Sequence, residues 1–260
     1  MMTDKEFVKK LIDCAKNYKS LYVMGCFGAP LGYGNNRDRY THNNPYNENP
    51  KRTKMIQNAS GDTFGFDCVC LIKGILWGWN GNPNKVYGGA DYGSNGVPDI
   101  GTEGMISVCS GVSENFKNIV AGELVWMSGH VGVYVGNGLV VECTPAWENK
   151  VQITALANIG SVNGYPSRRW VKHGKLPYIK YTGVTPTPTP VPTGNPYSVL
   201  PLLQVGSTGD LVTLLQIQLK IEADGIFGPI TKDAVKLYQS EKKLEVDGIV
   251  GKETYKSLFG

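Results

Sequence analysis

Hydrophobic positions along the chain fall into a helical pattern, then a strand pattern, then a helical pattern again. Phe7, Leu11, Cys14, Ala15 and Tyr18 recur on one helical face. Thr3-Asp4-Lys5-Glu6 precedes them as a capping box, with Met2 and Phe7 placed as a hydrophobic staple, so a helix opens the chain. Residues 31–62, with Asn-Asn-Arg, His-Asn-Asn-Pro and Asn-Glu-Asn-Pro, carry no period and read as a long loop. From Cys68 to Trp77 the chain is apolar nearly all round, as in a helix buried at a domain centre, with Gly74 as a weak point.

Glu123 to Met127 and His130 to Val135 read as strands, and Gly136-Asn137-Gly138 turns the chain into Leu139 to Cys143. A turn at His173-Gly174 is expected to join Arg169-Trp170-Val171 to Leu176 and beyond. A helix-first, antiparallel-later order is that of an α+β domain.

Residues 183–196 repeat Thr-Pro, and prolines at this density hold the backbone extended, which marks a spacer between domains. Beyond it, Asp224-Gly225-Ile226 and Asp247-Gly248-Ile249 repeat at a 23-residue offset. Each supplies a Gly turn that launches a helix, with Pro229 suited to a first helical position and Ala234, Val235 and Tyr238 at helical spacing. Leu211, Leu214, Leu215 and Leu219 form an earlier stripe. The expected organisation is a domain over 1–182, a linker over 183–196 and a three-helix module over 197–260.

The 260 residues suffice for two cores, and 33 glycines point to a loop-rich first domain. The net charge of +4 is too small to argue for nucleic acid: the module holds 7 Lys against 8 Asp and Glu, about −1, leaving about +5 in front. No run approaches the roughly 20 apolar residues of a membrane span. The first residues lead into the amphipathic pattern without an apolar signal region, which suggests synthesis in the cytoplasm. Six cysteines without paired spacing read as reduced thiols. Gly88-Gly89 and Gly93 lack the context of a phosphate cradle.

Cys68 stands at the start of its helix, where unpaired N–H groups and the macrodipole favour a thiolate and could stabilise an oxyanion. Cys70 points about 200° away and is packed inside if Cys68 faces a cleft. In the hairpin, Val131, Val133, Val135, Val141 and Cys143 share one face, and His130, Gly132, Tyr134, Val140 and Glu142 the other. Pairing Val135 with Leu139 sets His130 opposite Thr144 with Glu142 as diagonal neighbour, a carboxylate able to orient the imidazole. His42 reads as solvated and His173 as structural. A zinc site lacks ligands, since Cys68 and Cys70 diverge and no histidines sit at i, i+4, so no metal or cofactor is expected.

These motifs resemble the NlpC-type cell-wall cysteine peptidases, a papain-like family. Gly65-Phe66-Asp67-Cys68 with Leu71-Ile72 is similar to its nucleophile motif. Gly122-Glu123-Leu124-Val125 with His130 to Gly138 is similar to its histidine motif. The resemblance implies Cys68 as nucleophile, His130 as base, Glu142 as third polar residue and Tyr22 as oxyanion helper; Asp67, Trp77 and Trp126 complete the expected site as substrate contacts. Two departures, Val69-Cys70 where the family has Ser-Gly and the long segment 31–62, leave endopeptidase and N-acetylmuramoyl-L-alanine amidase both open.

Leu203 to Phe259 resembles the three-helix peptidoglycan-binding module. Together the resemblances imply a peptidoglycan hydrolase, such as a phage endolysin that reaches the wall after lysis; a monomer is expected, though the sequence itself is silent on oligomeric state. A host autolysin, an exported toxin, an acyltransferase on the same scaffold and a non-catalytic wall-binding protein are the alternatives.

Overall fold

The computed structural model describes residues 1–182, 202–208 and 210–259. The linker expected over 183–196 and the expected module start at Tyr197 lie outside the described residues, as does the side chain of Leu214. The chain divides into two compact units, Met1–Thr187 and Pro188–Gly260.

The first unit opens with β1 (Met2–Thr3) and α1 (Asp4–Asn17). The Thr3 hydroxyl accepts the Glu6 N–H at 3.2 Å and the Glu6 carboxylate accepts the Thr3 N–H at 2.8 Å, so the capping box forms as read. Phe7, Leu11 and Cys14 are the buried stripe of α1. Next come β2 (Ser20–Tyr22) and β3 (Phe27–Pro30), which flank β4 (Phe64–Phe66) in a small sheet of order β2-β4-β3.

Between β3 and β4 the structure corrects the sequence reading. Residues 31–62 are not a long loop; they carry α2 (Asn36–Thr41), α3 (Pro45–Glu48) and α4 (Pro50–Asn58). The two Asn-Pro pairs that looked like loop signals are helix starts. Asn44 caps α3 by accepting the Tyr46 N–H at 2.9 Å, Asn49 caps α4 by accepting the Lys51 N–H at 3.0 Å, and each proline fills a first position whose N–H is not needed. His42 ends α2 as its C-cap.

β4 leads into α5 (Cys68–Leu76), buried along its whole length and packed against β3 and two strands of the main sheet. Gly74 is explained by this packing: a Cβ there would lie 2.5 Å from the Phe27 carbonyl oxygen. After α6 (Thr102–Ser107) the chain builds a seven-stranded sheet from β5 (Ser110–Ser113), β6 (Leu124–Met127), β7 (His130–Gly136), β8 (Leu139–Thr144), β9 (Lys150–Leu156), β10 (Ser167–Arg168) and β11 (Lys172–Lys175). Its order is β10-β9-β8-β7-β6-β11-β5. β12 (Ile179–Lys180) pairs with β1.

Two strand readings need correction. His173 and Gly174 form no turn; both lie inside β11, whose His173 pairs with Val125 of β6. A Cβ on Gly174 would come 2.8 Å from that of Cys109, so the glycine serves close approach rather than chain reversal. In the hairpin, Leu139 faces Gly136 and not Val135. Asn137 and Gly138, with φ of 52° and 75°, make a two-residue turn, and the register shifts between Tyr134 and Gly136. Inward of the shift, Tyr134 faces Val140 and Val133 faces Val141, so the diagonal relation of His130 and Glu142 survives.

The sheet is buried on both faces. Val131, Val133, Val141 and Cys143 join α1 and α5 in the main core. The face expected to be polar carries a second cluster of Phe116, Ile119, Val125, Tyr134, Val140, Leu156 and Trp170.

The second unit contains α7 (Asp210–Gln218), α8 (Pro229–Glu241) and α9 (Lys252–Phe259) around Leu203, Val212, Leu215, Phe227, Val235, Val250 and Tyr255. The 23-residue repeat is a repeat of hydrogen bonding. The buried Gln216 donates to Asp224 Oδ1 at 2.7 Å and accepts the Gly225 N–H at 2.8 Å. Gln239 does the same with Asp247 at 2.8 Å and Gly248 at 2.9 Å. A buried glutamine amide thus closes each Asp-Gly turn, satisfying groups that would otherwise cost about 1–3 kcal/mol each.

Candidate active site

The site lies where the N-terminus of α5 meets the first residues of β7. Cys68 is the first helical residue, only 6% exposed, and the backbone N–H of Val131 faces its sulfur. Val131 follows His130 directly, so His130 is one residue along β7 from the N–H that faces the thiol. The turn before His130 is fixed by α6, whose Glu103 accepts the Gly129 N–H at 3.0 Å.

Helix position alone predicts a stabilised thiolate; the structure gives a different balance. Burial pushes the Cys68 thiol up to about 12, the Asp67 carboxylate beside it adds to this, and the N–H groups of Val131, Val69 and Cys68 pull the other way without prevailing. At neutral pH the thiol keeps its proton and needs a base to take it.

His130 is held in place by a carboxylate and an aromatic ring. Its Nε2 is 2.6 Å from Glu142 Oε2, and its ring stacks on Trp170 at 5.3 Å between centroids with 14° between planes. Nδ1 has no hydrogen-bond partner among the described residues. Glu142 is fully buried, and its other partners are Thr154, which donates at 2.7 Å, and Arg168, whose Nε lies 2.9 Å from Oε2. Burial pushes this carboxyl up, but His130, Arg168 and Thr154 outweigh burial and hold it below the usual glutamate range.

Tyr22 ends β2 on the same side. Burial, together with neighbouring Cys68 and Asp67, pushes its phenol far above the ordinary range, so its O–H remains a donor. The Tyr22 ring meets that of Tyr46 at 5.8 Å, and the Arg52 guanidinium lies 5.7 Å from the Tyr22 centroid.

The three expected substrate contacts fare differently. Asp67 caps α5, accepting the Cys70 N–H at 2.7 Å and the Gly25 N–H at 2.8 Å; buried with both oxygens engaged, it is a structural cap and not a substrate contact. Trp77 sits at the far end of α5 from Cys68, buried, with its indole N–H donated to the Val97 carbonyl at 2.9 Å. It belongs to the core because the apolar side chains of α5 continue through its C-cap. Trp126 faces Val131 across the β6–β7 pair, and its indole nitrogen is buried without a partner. It alone of the three keeps an uncommitted polar atom beside the thiol's neighbours. Cys70 is as buried as Cys68, in the same core cluster, and burial pushes its thiol well up.

Arg168, Thr154, Glu103 and Trp170 escaped the sequence reading. Thr154 was within reach of the same period-two logic that paired His130 with Glu142, because it faces Val140, two positions from Glu142. Arg168 arrives on β10, which runs parallel to β9 after a loop, and no local pattern announces that placement. Among the described residues no group of three or more His, Cys, Asp or Glu converges as a metal set would, and no helix is long and apolar enough to cross a membrane.

Comparison with known proteins bears on the second unit. Residues 208–258 match a putative peptidoglycan binding domain. The matched segment lies within the second unit. No curated protein matches the chain. Among solved structures, the Burkholderia AP3 phage endolysin shares 35% identity over 23% of this chain and 25% of its own, with a TM-score of 0.23. A fused Zn-dependent amidase/peptidase/peptidoglycan-binding domain-containing protein from Clostridium acetobutylicum shares 34% over 23% and 29%, with a TM-score of 0.23. The SleB N-terminal domain shares 34% over 22% of this chain and 88% of its own, at 0.22. The chain thus spans about a quarter of the first two.

Proposed function

We propose that the first unit is a papain-like, NlpC-type cysteine hydrolase that cleaves an amide bond in the peptidoglycan stem, and that the peptidoglycan-binding segment holds it on the wall. The observation that carries this reading is the junction of α5 and β7: the Cys68 sulfur faces the N–H of Val131, next to a histidine with one nitrogen held by Glu142 and the other free. The thiol proton passes to His130 as the sulfur attacks the amide carbonyl, forming a C–S bond and moving an electron pair to oxygen. The Tyr22 hydroxyl and the Cys68 N–H stabilise that oxygen. Collapse breaks the C–N bond while His130 protonates the leaving amine, and water then releases the acyl group and restores the thiol. Glu142 fixes the imidazole orientation and stabilises the imidazolium. Tethering raises the effective concentration on the wall without new chemistry.

Release into the wall from the cytoplasm, by phage lysis or by dedicated export, goes with this reading. Mass spectrometry of wall fragments after digestion tests it. Wild-type protein should yield one new amine and one new carboxyl at a single stem amide, and Cys68→Ala should yield neither while still sedimenting with walls. Equal digestion by both proteins would sink the cysteine mechanism, and new reducing sugar ends would place the chemistry on the glycan instead.

A further inference from the structure

The segment 31–62 is joined to the candidate site through one buried arginine. Arg52 of α4 is 9% exposed and lies 5.7 Å from the Tyr22 ring centroid and 5.3 Å from that of Tyr46. Its guanidinium donates to Asn149 Oδ1 at 2.7 Å and to the Tyr22 carbonyl oxygen, while its Nε is buried without a partner. Asn149 lies in the turn between β8 and β9; its carbonyl accepts the Tyr22 N–H at 3.0 Å and its amide reaches Met55 Sδ at 3.5 Å.

Around this hub three large apolar side chains stay in solvent: Tyr46 at 38%, Met55 at 46% and Trp147 at 50% exposure. Trp147 and Asn149 both hold left-handed backbone, with φ of 53° and 54°, a conformation that strains a non-glycine residue. The turn is kept there by Gln152, whose amide reaches the Ala146 carbonyl at 3.0 Å, and by Asn149. Arg168 lies 4.8 Å from the Trp147 ring centroid, so one cation separates this exposed indole from the carboxylate that holds His130.

A strained turn that keeps a tryptophan outward beside the reacting groups suits a ligand platform, because a rigid ring loses little entropy on contact and an exposed apolar patch marks a binding surface. We propose that Tyr46, Met55 and Trp147 form a platform that stacks on a hexosamine ring of the glycan strand. The proposal rests on the hydrolase reading and narrows it: the scissile amide lies within reach of the sugar. Aromatic and thioether faces match the C–H face of a pyranose, whereas a stem peptide of carboxylates and small side chains offers no comparable flat apolar area.

All five tryptophans lie at positions 77, 79, 126, 147 and 170, so indole emission of the whole chain reports on the first unit and is silent on the peptidoglycan-binding segment. Titration with the peptide-free disaccharide of N-acetylglucosamine and N-acetylmuramic acid should shift that emission saturably. Trp147→Gly, which relieves the left-handed strain and so preserves the turn, should abolish the shift, and Tyr46→Ala should weaken binding about tenfold. In kinetics, the kcat/KM ratio of a glycan-linked stem over the same free stem peptide should fall about tenfold in either variant, mostly through KM. An emission spectrum indifferent to the disaccharide, or equal losses on both substrates, overturns the platform. If the wild type cleaves neither substrate while the disaccharide still titrates the indole, the hydrolase reading fails and the platform stands.

Discussion

Two histidine–glutamate pairs have their histidines on the same sheet, and they differ in how many ring nitrogens are engaged. His173 on β11 bonds to Glu123 through Nδ1 and to the Asn115 carbonyl at 3.0 Å through Nε2, and both side chains of the pair are 6% exposed. His130 on β7 spends one nitrogen on Glu142 and keeps the other, with its side chain 14% exposed at the end of α5. An imidazole whose two nitrogens both face acceptors, a carboxylate and a carbonyl, is held protonated and offers no free lone pair to a further proton. A carboxylate partner alone therefore does not separate a structural histidine from a proposed base; on the proposed mechanism the uncommitted nitrogen does.

The comparison breaks most visibly at the two histidines. His130→Ala should lower the rate of wall hydrolysis about 10⁴-fold or more with the melting temperature nearly unchanged, and adding Cys68→Ala should cost little further. His173→Gln should do the reverse. It leaves Glu123 buried without its partner, for a loss of about 3–5 kcal/mol in urea unfolding, while kcat/KM per folded molecule stays within about twofold. A large kinetic loss in folded His173→Gln would show that the two pairs were wrongly distinguished.

Next in size is Glu142→Gln, expected to lower kcat/KM by about 10²-fold, because the amide still accepts a hydrogen bond but no longer balances an imidazolium.

The pairs also differ in the sign of their pH dependence. Burial lowers the proton affinity of His173, but Glu123 and the Asn115 carbonyl raise it further, so its net position is above the ordinary histidine range. Its stabilisation is complete below that range and fades as pH rises through the raised value. Glu142 is held low, so its stabilisation is complete above the ordinary glutamate range and is lost as pH falls through the lowered value. Unfolding free energy measured across pH should lose its alkaline decline in His173→Gln and part of its acid decline in Glu142→Gln.

The smallest expected effect concerns Asp67. Asp67→Asn keeps an acceptor for the Cys70 N–H but removes the charge that pushes the Cys68 thiol up, so alkylation by iodoacetamide at neutral pH should quicken by about two- to fivefold with stability changed by less than about 1 kcal/mol. Unchanged alkylation would mean that burial alone sets the thiol.

Much of the site was legible because it is carried by short-range pattern. Period-two alternation placed His130 and Glu142 on one face, and although the turn register was wrong by one residue at Leu139, the error stayed outside the register shift and left that relation intact. The start of α5 was readable from the apolar run after Asp67, and the repeat of Asp-Gly turns announced the second unit. Residues 31–62 were misread because each Asn-Pro pair belongs equally to a loop and to a capped helix start; only the packing of α2 and α4 distinguishes them. His173-Gly174 was misread for a similar reason, since glycine marks close approach as readily as a turn.

What the sequence determined by itself, then, was periodicity and local chemistry: a capped first helix, a cysteine at a helix start, a histidine and a glutamate on one face of a hairpin, and a repeated Asp-Gly turn. Only the tertiary structure decided the quantities that depend on groups far apart in the chain. Burial and the Asp67 charge, not the helix end, set the Cys68 thiol; His130, together with Arg168 from a strand 26 residues beyond Glu142, holds that carboxyl low. Proton affinity is fixed by what surrounds a group in three dimensions, and that surrounding is assembled from segments whose order along the chain carries no record of it.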